Sequence, residues 1–206
     1  MQTLRRNLFA GACCLLWLSA SVFAQDTFLE PSSMKSFPKQ VTFDHDGKAY
    51  TLKATGATEQ RKLKGENVKS FMTLAHYMET PPSAEDLNAA ATVLKDKGAK
   101  QITINLNIDF PDSRLQRMFQ KRLNLTGAAK LQASITEFYS CFAGSLAADT
   151  RCVVRWLPDG KTQILVPGQP EKLITNTAFA PLFWKAWFEE NTLINSFELV
   201  SLWGAW

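Results

Sequence analysis

The chain has 206 residues, of which 46% are hydrophobic, 20% charged and 11% aromatic, the composition of a globular protein rather than a low-complexity or fibrous one. Its formal charge of +4 falls once the first 24 residues are set apart: Arg5 and Arg6 leave, no acid does, and 21 basic against 19 acidic residues make +2. Near-neutrality gives no electrostatic case for binding nucleic acid. Two histidines and four cysteines leave little material for a metal site, so neither metal nor cofactor is expected.

The amino terminus reads as an address. Arg5 and Arg6 precede an apolar run from Leu8 to Trp17, too short to span a bilayer, and small residues at Val22 and Ala24 suit cleavage after Ala24. The residues after the arginine pair are not the usual twin-arginine continuation, and Cys13 lies too early for a lipoprotein cysteine, so general secretion is favoured. No later stretch approaches 18 continuous apolar residues. The expectation is a signal peptide over 1–24 and one domain over 25–206 in the periplasm or outside the cell. Cys141 and Cys152 then remain, an even pair in an oxidising compartment. A disulfide closing a helix-to-strand loop is expected, with two free buried thiols as the alternative.

Along the rest of the chain, a polar leader around Pro31 to Lys39 comes first. Val41–Phe43 and Ala49–Ala54 then flank Asp44-His45-Asp46-Gly47, a hairpin signal. Gly56 to Gly65 is basic (Arg61, Lys62, Lys64) and without clear period, and reads as a solvated loop unless it holds an anion. Val68 to Met78 is β-prone and reads as a strand rather than a helix. Pro81-Pro82-Ser83 introduces a helix from Ala84 to about Lys97 that ends at Gly98. Ile102, Ile104, Leu106 and Ile108 alternate with polar residues, the pattern of a half-buried strand. Asp112 or Ser113 caps a helix with Leu115, Met118, Phe119 and Leu123 on one face, and Leu131, Ile135, Phe138 and Phe142 give another. Cys152–Leu157 and Thr162–Val166 read as strands joined by Pro158-Asp159-Gly160-Lys161. After a short extended piece ending at Ile174, Asn176 or Thr177 caps a helix with Phe179, Leu182, Phe183, Ala186 and Trp187 along one side. Strands, helices, strands and helix in that order predict an α+β fold, an antiparallel sheet covered by helices.

Chemical motifs are scarce. There is no Gly-x-Ser-x-Gly elbow, phosphate-binding glycine loop, dinucleotide fingerprint or His-Glu-x-x-His. His45 lies in a polar turn and reads as solvated. His76, beside Tyr77, could move a proton near neutral pH, although a lone histidine is more often a satisfied structural group. The aromatics Phe179, Phe183, Trp184, Trp187 and Phe188 read as core, with a ligand cleft as the alternative.

Gly47-Lys-Ala-Tyr-Thr-Leu-Lys-Ala-Thr-Gly56, Gln60-Arg61-Lys62 and Val68-Lys-Ser-Phe-Met-Thr-Leu-Ala-His-Tyr-Met-Glu79, followed by the ordered elements up to Ala178-Phe-Ala-Pro-Leu-Phe-Trp-Lys-Ala-Trp187, resemble the chalcone isomerase-like family. The likeness runs from about Phe37 to Leu202 and is nearest to that family's secreted bacterial branch. It implies an open-faced β-sandwich, a large antiparallel sheet with a layer of helices and a ligand cleft between them. In the family's plant enzymes the cleft cyclises a chalcone with an arginine and polarising hydroxyls. In its fatty-acid-binding members an arginine and a tyrosine hold a carboxylate.

Arg61 is the match for the family arginine. Met72 stands where the enzymes have threonine and the fatty-acid binders tyrosine, and a thioether cannot donate the hydrogen bond either activity uses. Thr73 is adjacent but points to the opposite face of a strand. The resemblance therefore implies a noncatalytic binder of an apolar anionic small molecule such as a fatty acid, with Arg61, Met72, His76 and Tyr77 as candidate ligand-binding residues and no catalytic residue assigned. The alternatives are an intramolecular lyase acting on an enone-like substrate and a structural or partner-binding envelope protein.

Overall fold

A computed structural model describes residues 26–64, 67–83, 85–111, 114–125, 128–189 and 195–201. The expected signal peptide and the Asp112/Ser113 cap lie outside the described residues. Among the described residues, nine strands and four α-helices follow in chain order: β1 Thr27–Glu30, β2 Lys35–Pro38, β3 Gln40–His45, β4 Lys48–Lys64, β5 Asn67–Met78, α1 Ala89–Lys95, β6 Lys100–Leu106, α2 Arg114–Leu125, α3 Gln132–Ser140, β7 Arg151–Trp156, β8 Thr162–Leu165, β9 Lys172–Ile174 and α4 Phe179–Phe188. Short 3-10 turns occupy Ala128–Leu131 and Glu198–Val200.

Strands β3 to β9 form one antiparallel sheet in which every strand pairs with its sequence neighbour. Because α1 sits between β5 and β6, and α2 and α3 between β6 and β7, the helices lie on one face of the sheet while the strands keep their order. Even-numbered positions of β5 and β6 (Met72, Leu74, Met78; Ile102, Ile104, Leu106) join Cys152, Val154 and Trp156 of β7 and the helices in the main core. Helix α4 is buried on almost every side, as its apolar sequence requires. Its Phe179, Phe183 and Trp187 pack against Phe119, Phe138 and Phe142, with Phe138 and Phe183 centroids 5.3 Å apart and Phe119 and Trp187 6.2 Å apart. These rings touch one another, so the core reading of the α4 aromatics holds.

The hairpins form where the sequence placed them. Asp46 (φ 49°) and Gly47 (φ 74°) make the tight β3–β4 turn, and Gly160 (φ 84°) turns β7 into β8. Three expectations are corrected. The basic segment is not a loop: β4 runs unbroken through Arg61 to Lys64, and register shifts at Ala54/Gly56 and Gln60/Arg61 explain why no period of two is visible. Helix α1 opens at Ala89 rather than Ala84, because Asp86 holds a turn, accepting from the Asn88 amide (2.8 Å) and the Thr92 hydroxyl (2.5 Å). The leader is itself a hairpin, β1 paired with β2, and the buried Glu30 carboxylate closes its turn through the amides of Ser32 and Ser33.

The disulfide expectation is also overturned, since Cys141 and Cys152 are both free and buried. Cys141 caps α3 with its Sγ directed back to the Glu137 carbonyl (3.5 Å), whereas Cys152 faces the helix layer from β7, opposite Ile104. An even count in an oxidising compartment makes pairing possible but cannot bring two side chains together.

Candidate binding site at the sheet–helix seam

Strand β5 carries three of the four candidate residues, and its pleat separates them. Met72 and His76 face the helices, about 13 Å apart at the rise of a strand. Tyr77, at an odd position, faces the other way and joins a second cluster with Phe28, Phe37, Phe43, Leu52 and Leu157. Met72 is buried between Gln60 of β4 and Leu106 of β6. Arg61 pairs with Ser70 two positions from Met72, but its guanidinium is exposed and bound to the Glu59 carboxylate. The structure thus brings Arg61 and Met72 to one end of the sheet and does not bring His76 or Tyr77 to them. Lys62 and Lys64 lie in β4, with side chains outside the described set.

His76 is fully enclosed, and its partners fix its chemistry. The Trp184 indole N–H can only donate, so Nε2 accepts from it at 3.1 Å. On the other side Thr55 Oγ1 donates to the Leu199 carbonyl at 2.6 Å, which leaves it to accept from His76 Nδ1–H, also at 2.6 Å. The ring is therefore the neutral Nδ1–H tautomer with both nitrogens engaged. Phe188 covers it edge-on at 4.8 Å. Burial, aided by the positive charge of Lys100, holds its pKa well below the ordinary histidine value. Such a ring is a structural bracket joining β4, β5, α4 and the C-terminal 3-10 turn.

Tyr77 is equally enclosed. Burial pushes its pKa upward, against the opposing pull of Arg151 and of Thr103 beside its hydroxyl. Its surroundings are the far face of β6, expected to be solvated but buried: Gln101, Thr103 and Asn105 are 2%, 7% and 2% exposed. The reason is a polar ladder under the β1–β2 hairpin. Asn107 donates to Ser70 Oγ (2.6 Å) and Thr73 Oγ1 (2.9 Å), Arg155 to Gln101 (2.7 Å) and Gln163 (2.8 Å), and Arg151 to the Ser36 carbonyl (2.6 Å). Arg151 also lies over the Phe37 ring at 5.3 Å.

A residue that sequence reading missed lies at the Met72 end. The half-buried Arg114 opens α2, its guanidinium 5.1 Å from the Phe71 ring and 5.7 Å from that of Phe110. Among the described residues it is paired with no carboxylate. Its signal was available, an arginine opening the helix that follows the alternating strand, but contact with Phe71 across the seam is a tertiary fact. Elsewhere, a groove of about 360 Å³ runs between α1, the end of α4 and the C-terminal 3-10 turn. Leu94, Phe188, Phe197 and Val200 supply apolar walls, and its charged residues are Asp86 and Glu189, with no cation among the described lining.

A curled antiparallel sheet with helices on one face defines the class, the chalcone isomerase-like fold. Among solved structures, the chain is similar to the crystal structure of an Arabidopsis thaliana fatty-acid binding protein, with a TM-score of 0.64 at 13% identity over 82% of this chain and 91% of that one. No family model and no curated protein matches the sequence.

Proposed function

We propose that the protein is an exported, noncatalytic binder of an apolar anionic small molecule of fatty-acid type, held at the sheet–helix seam beside Met72 with its charge on Arg114. The observation that carries this reading is the Arg114 guanidinium, half-buried over Phe71 and Phe110 and without a carboxylate among the described residues. A planar, partly desolvated guanidinium suits a carboxylate, which it binds through paired charge-assisted hydrogen bonds. Arg61, engaged by Glu59, is the weaker candidate. The solved relative is itself described as a fatty-acid binding protein.

The lyase alternative needs a hydrogen-bond donor at position 72, and Met72 offers none. The partner-binding reading draws support from the α1–α4 groove, where Leu87 is 98% and Phe197 72% exposed. Its acidic rim would repel a carboxylate, so that groove suits a different occupant. Mass spectrometry of protein isolated from its extracytoplasmic fraction tests export and binding together. A chain beginning at Gln25 with a bound long-chain acid supports both. An uncleaved chain counts against export, and a ligand-free chain that takes up no added fatty acid counts against binding.

A further inference from the structure

The sheet curls far enough that the β3–β4 hairpin tip meets the β7–β8 tip, although β5 and β6 lie between β4 and β7. There His45 Nε2 stands 3.5 Å from the Asp46 carboxylate and 3.4 Å from that of Asp159, and the three candidate ligand atoms lie within 4.8 Å of one another. His45 is not the solvated turn residue its sequence context suggests. Its side chain is 17% exposed, and Nε2 itself is enclosed and makes no hydrogen bond among the described residues despite a carboxylate on either side. A buried imidazole nitrogen with neither a donor nor an acceptor in line is unusual.

We propose that the two hairpin tips form a binding site for a divalent first-row transition-metal ion of the Zn²⁺ type, with His45 Nε2 and the carboxylates of Asp46 and Asp159 as protein ligands and a fourth position open to solvent. Bonds of about 2.0–2.1 Å in tetrahedral array put neighbouring ligand atoms roughly 3.3–3.4 Å apart, close to the 3.5 and 3.4 Å found from Nε2 to the Asp46 and Asp159 carboxylates. One nitrogen and two oxygens favour such an ion over Ca²⁺, which takes roughly six to eight oxygens. The backbone is set for the task. Asp46 and Gly47 hold positive φ, and Asp159 Oδ1 accepts the Lys161 amide at 3.1 Å, which orients the carboxylate. Lys161 Nζ lies 2.7 Å from Asp159 Oδ2, so its ammonium competes for one ligand atom. That side chain is 37% exposed and free to swing into solvent when the ion binds. The site would tie the first hairpin of the sheet to the turn between its fifth and sixth strands and stabilise the curl.

The test is a titration of tag-free, chelator-stripped protein with Zn²⁺ against a chromophoric chelator, and with Co²⁺ read by its visible absorption. The expected result is one saturable ion per chain, a rise in melting temperature on adding Zn²⁺, at least tenfold weaker binding in His45→Gln and in Asp159→Asn, and tighter binding in Lys161→Met. All three positions lie at hairpin tips, and circular dichroism checks that each variant folds. No saturable binding up to about 1 mM Zn²⁺, or binding unchanged by His45→Gln, overturns the proposal. Weaker binding in Lys161→Met would overturn the role given to the lysine.

Discussion

At the residue scale, His76 and Gly56 hold the C-terminal 3-10 turn onto the sheet, and each makes a measurable difference. A Cβ at Gly56 would lie 2.1 Å from the Glu198 carbonyl oxygen and 2.5 Å from the Leu199 carbonyl carbon, so backbone must move to admit it. Gly56→Ala should cost about 1–3 kcal/mol, a fall of roughly 3–10 °C in Tm for a chain of this size, read by thermal melting. An unchanged Tm would mean that the turn does not rest on β4. For His76 the folded pKa lies below the unfolded one, so between the two the unfolded chain binds the extra proton. Stability from the neutral ring is complete above about pH 6.5 and is lost as pH falls, by up to about 1.4 kcal/mol per unit. The carboxylates with lowered pKa, Asp86, Asp149 and Asp159, contribute only at more acid pH. Denaturant unfolding between pH 4.5 and 6.5 should therefore show a slope that His76→Gln flattens, and equal slopes would exclude a neutral buried His76.

Among elements, the α3–β7 connection carries the two thiols. Burial pushes Cys141 to about 11 and Cys152 to about 12, so both remain protonated and unreactive near neutrality. Labelling the mature chain at pH 8 should be slow in the native state and find two thiols once the unreduced protein is denatured. A denatured chain with no thiol would restore the disulfide. Much of this element scale was legible in the sequence. Asp46-Gly47 and Asp159-Gly160 marked both hairpins because each turn needs positive φ, and Ile102, Ile104 and Leu106 fixed the inner face of β6. The outer face of β6 was not legible, since Gln101, Thr103 and Asn105 become buried through tertiary contacts such as those of Arg155 with Gln101 and of Arg151 with Asn105 and Ser36. Nor was the second half of β4, from Gly56 to Lys64, where register shifts erase the alternation on which a strand reading depends. The same pleat undid part of the candidate site: Tyr77 and His76, adjacent in sequence, cannot share a face.

For the whole molecule, the consequence of the curl is that distant hairpin tips meet at His45 and Asp159, while at the opposite end of the sheet the helix layer brings Arg114 against Phe71. Neither juxtaposition follows from any local pattern. The sequence resemblance predicted the fold; the structure pairs Arg61 with Glu59 and sets Arg114 over Phe71 and Phe110, so the proposed function places the ligand's charge on Arg114. A charge-assisted hydrogen bond contributes about 1.5–3 kcal/mol, so losing the ligand's charge partner should weaken binding roughly 10- to 150-fold. The most direct measurement is the affinity of the delipidated mature protein and its Arg114→Ala and Arg61→Ala variants for a long-chain fatty acid. Saturable binding to the parent protein is expected, with at least tenfold weaker binding by Arg114→Ala and a change of no more than about threefold in Arg61→Ala. No binding to the parent protein, or a loss confined to Arg61→Ala, would contradict the proposed function.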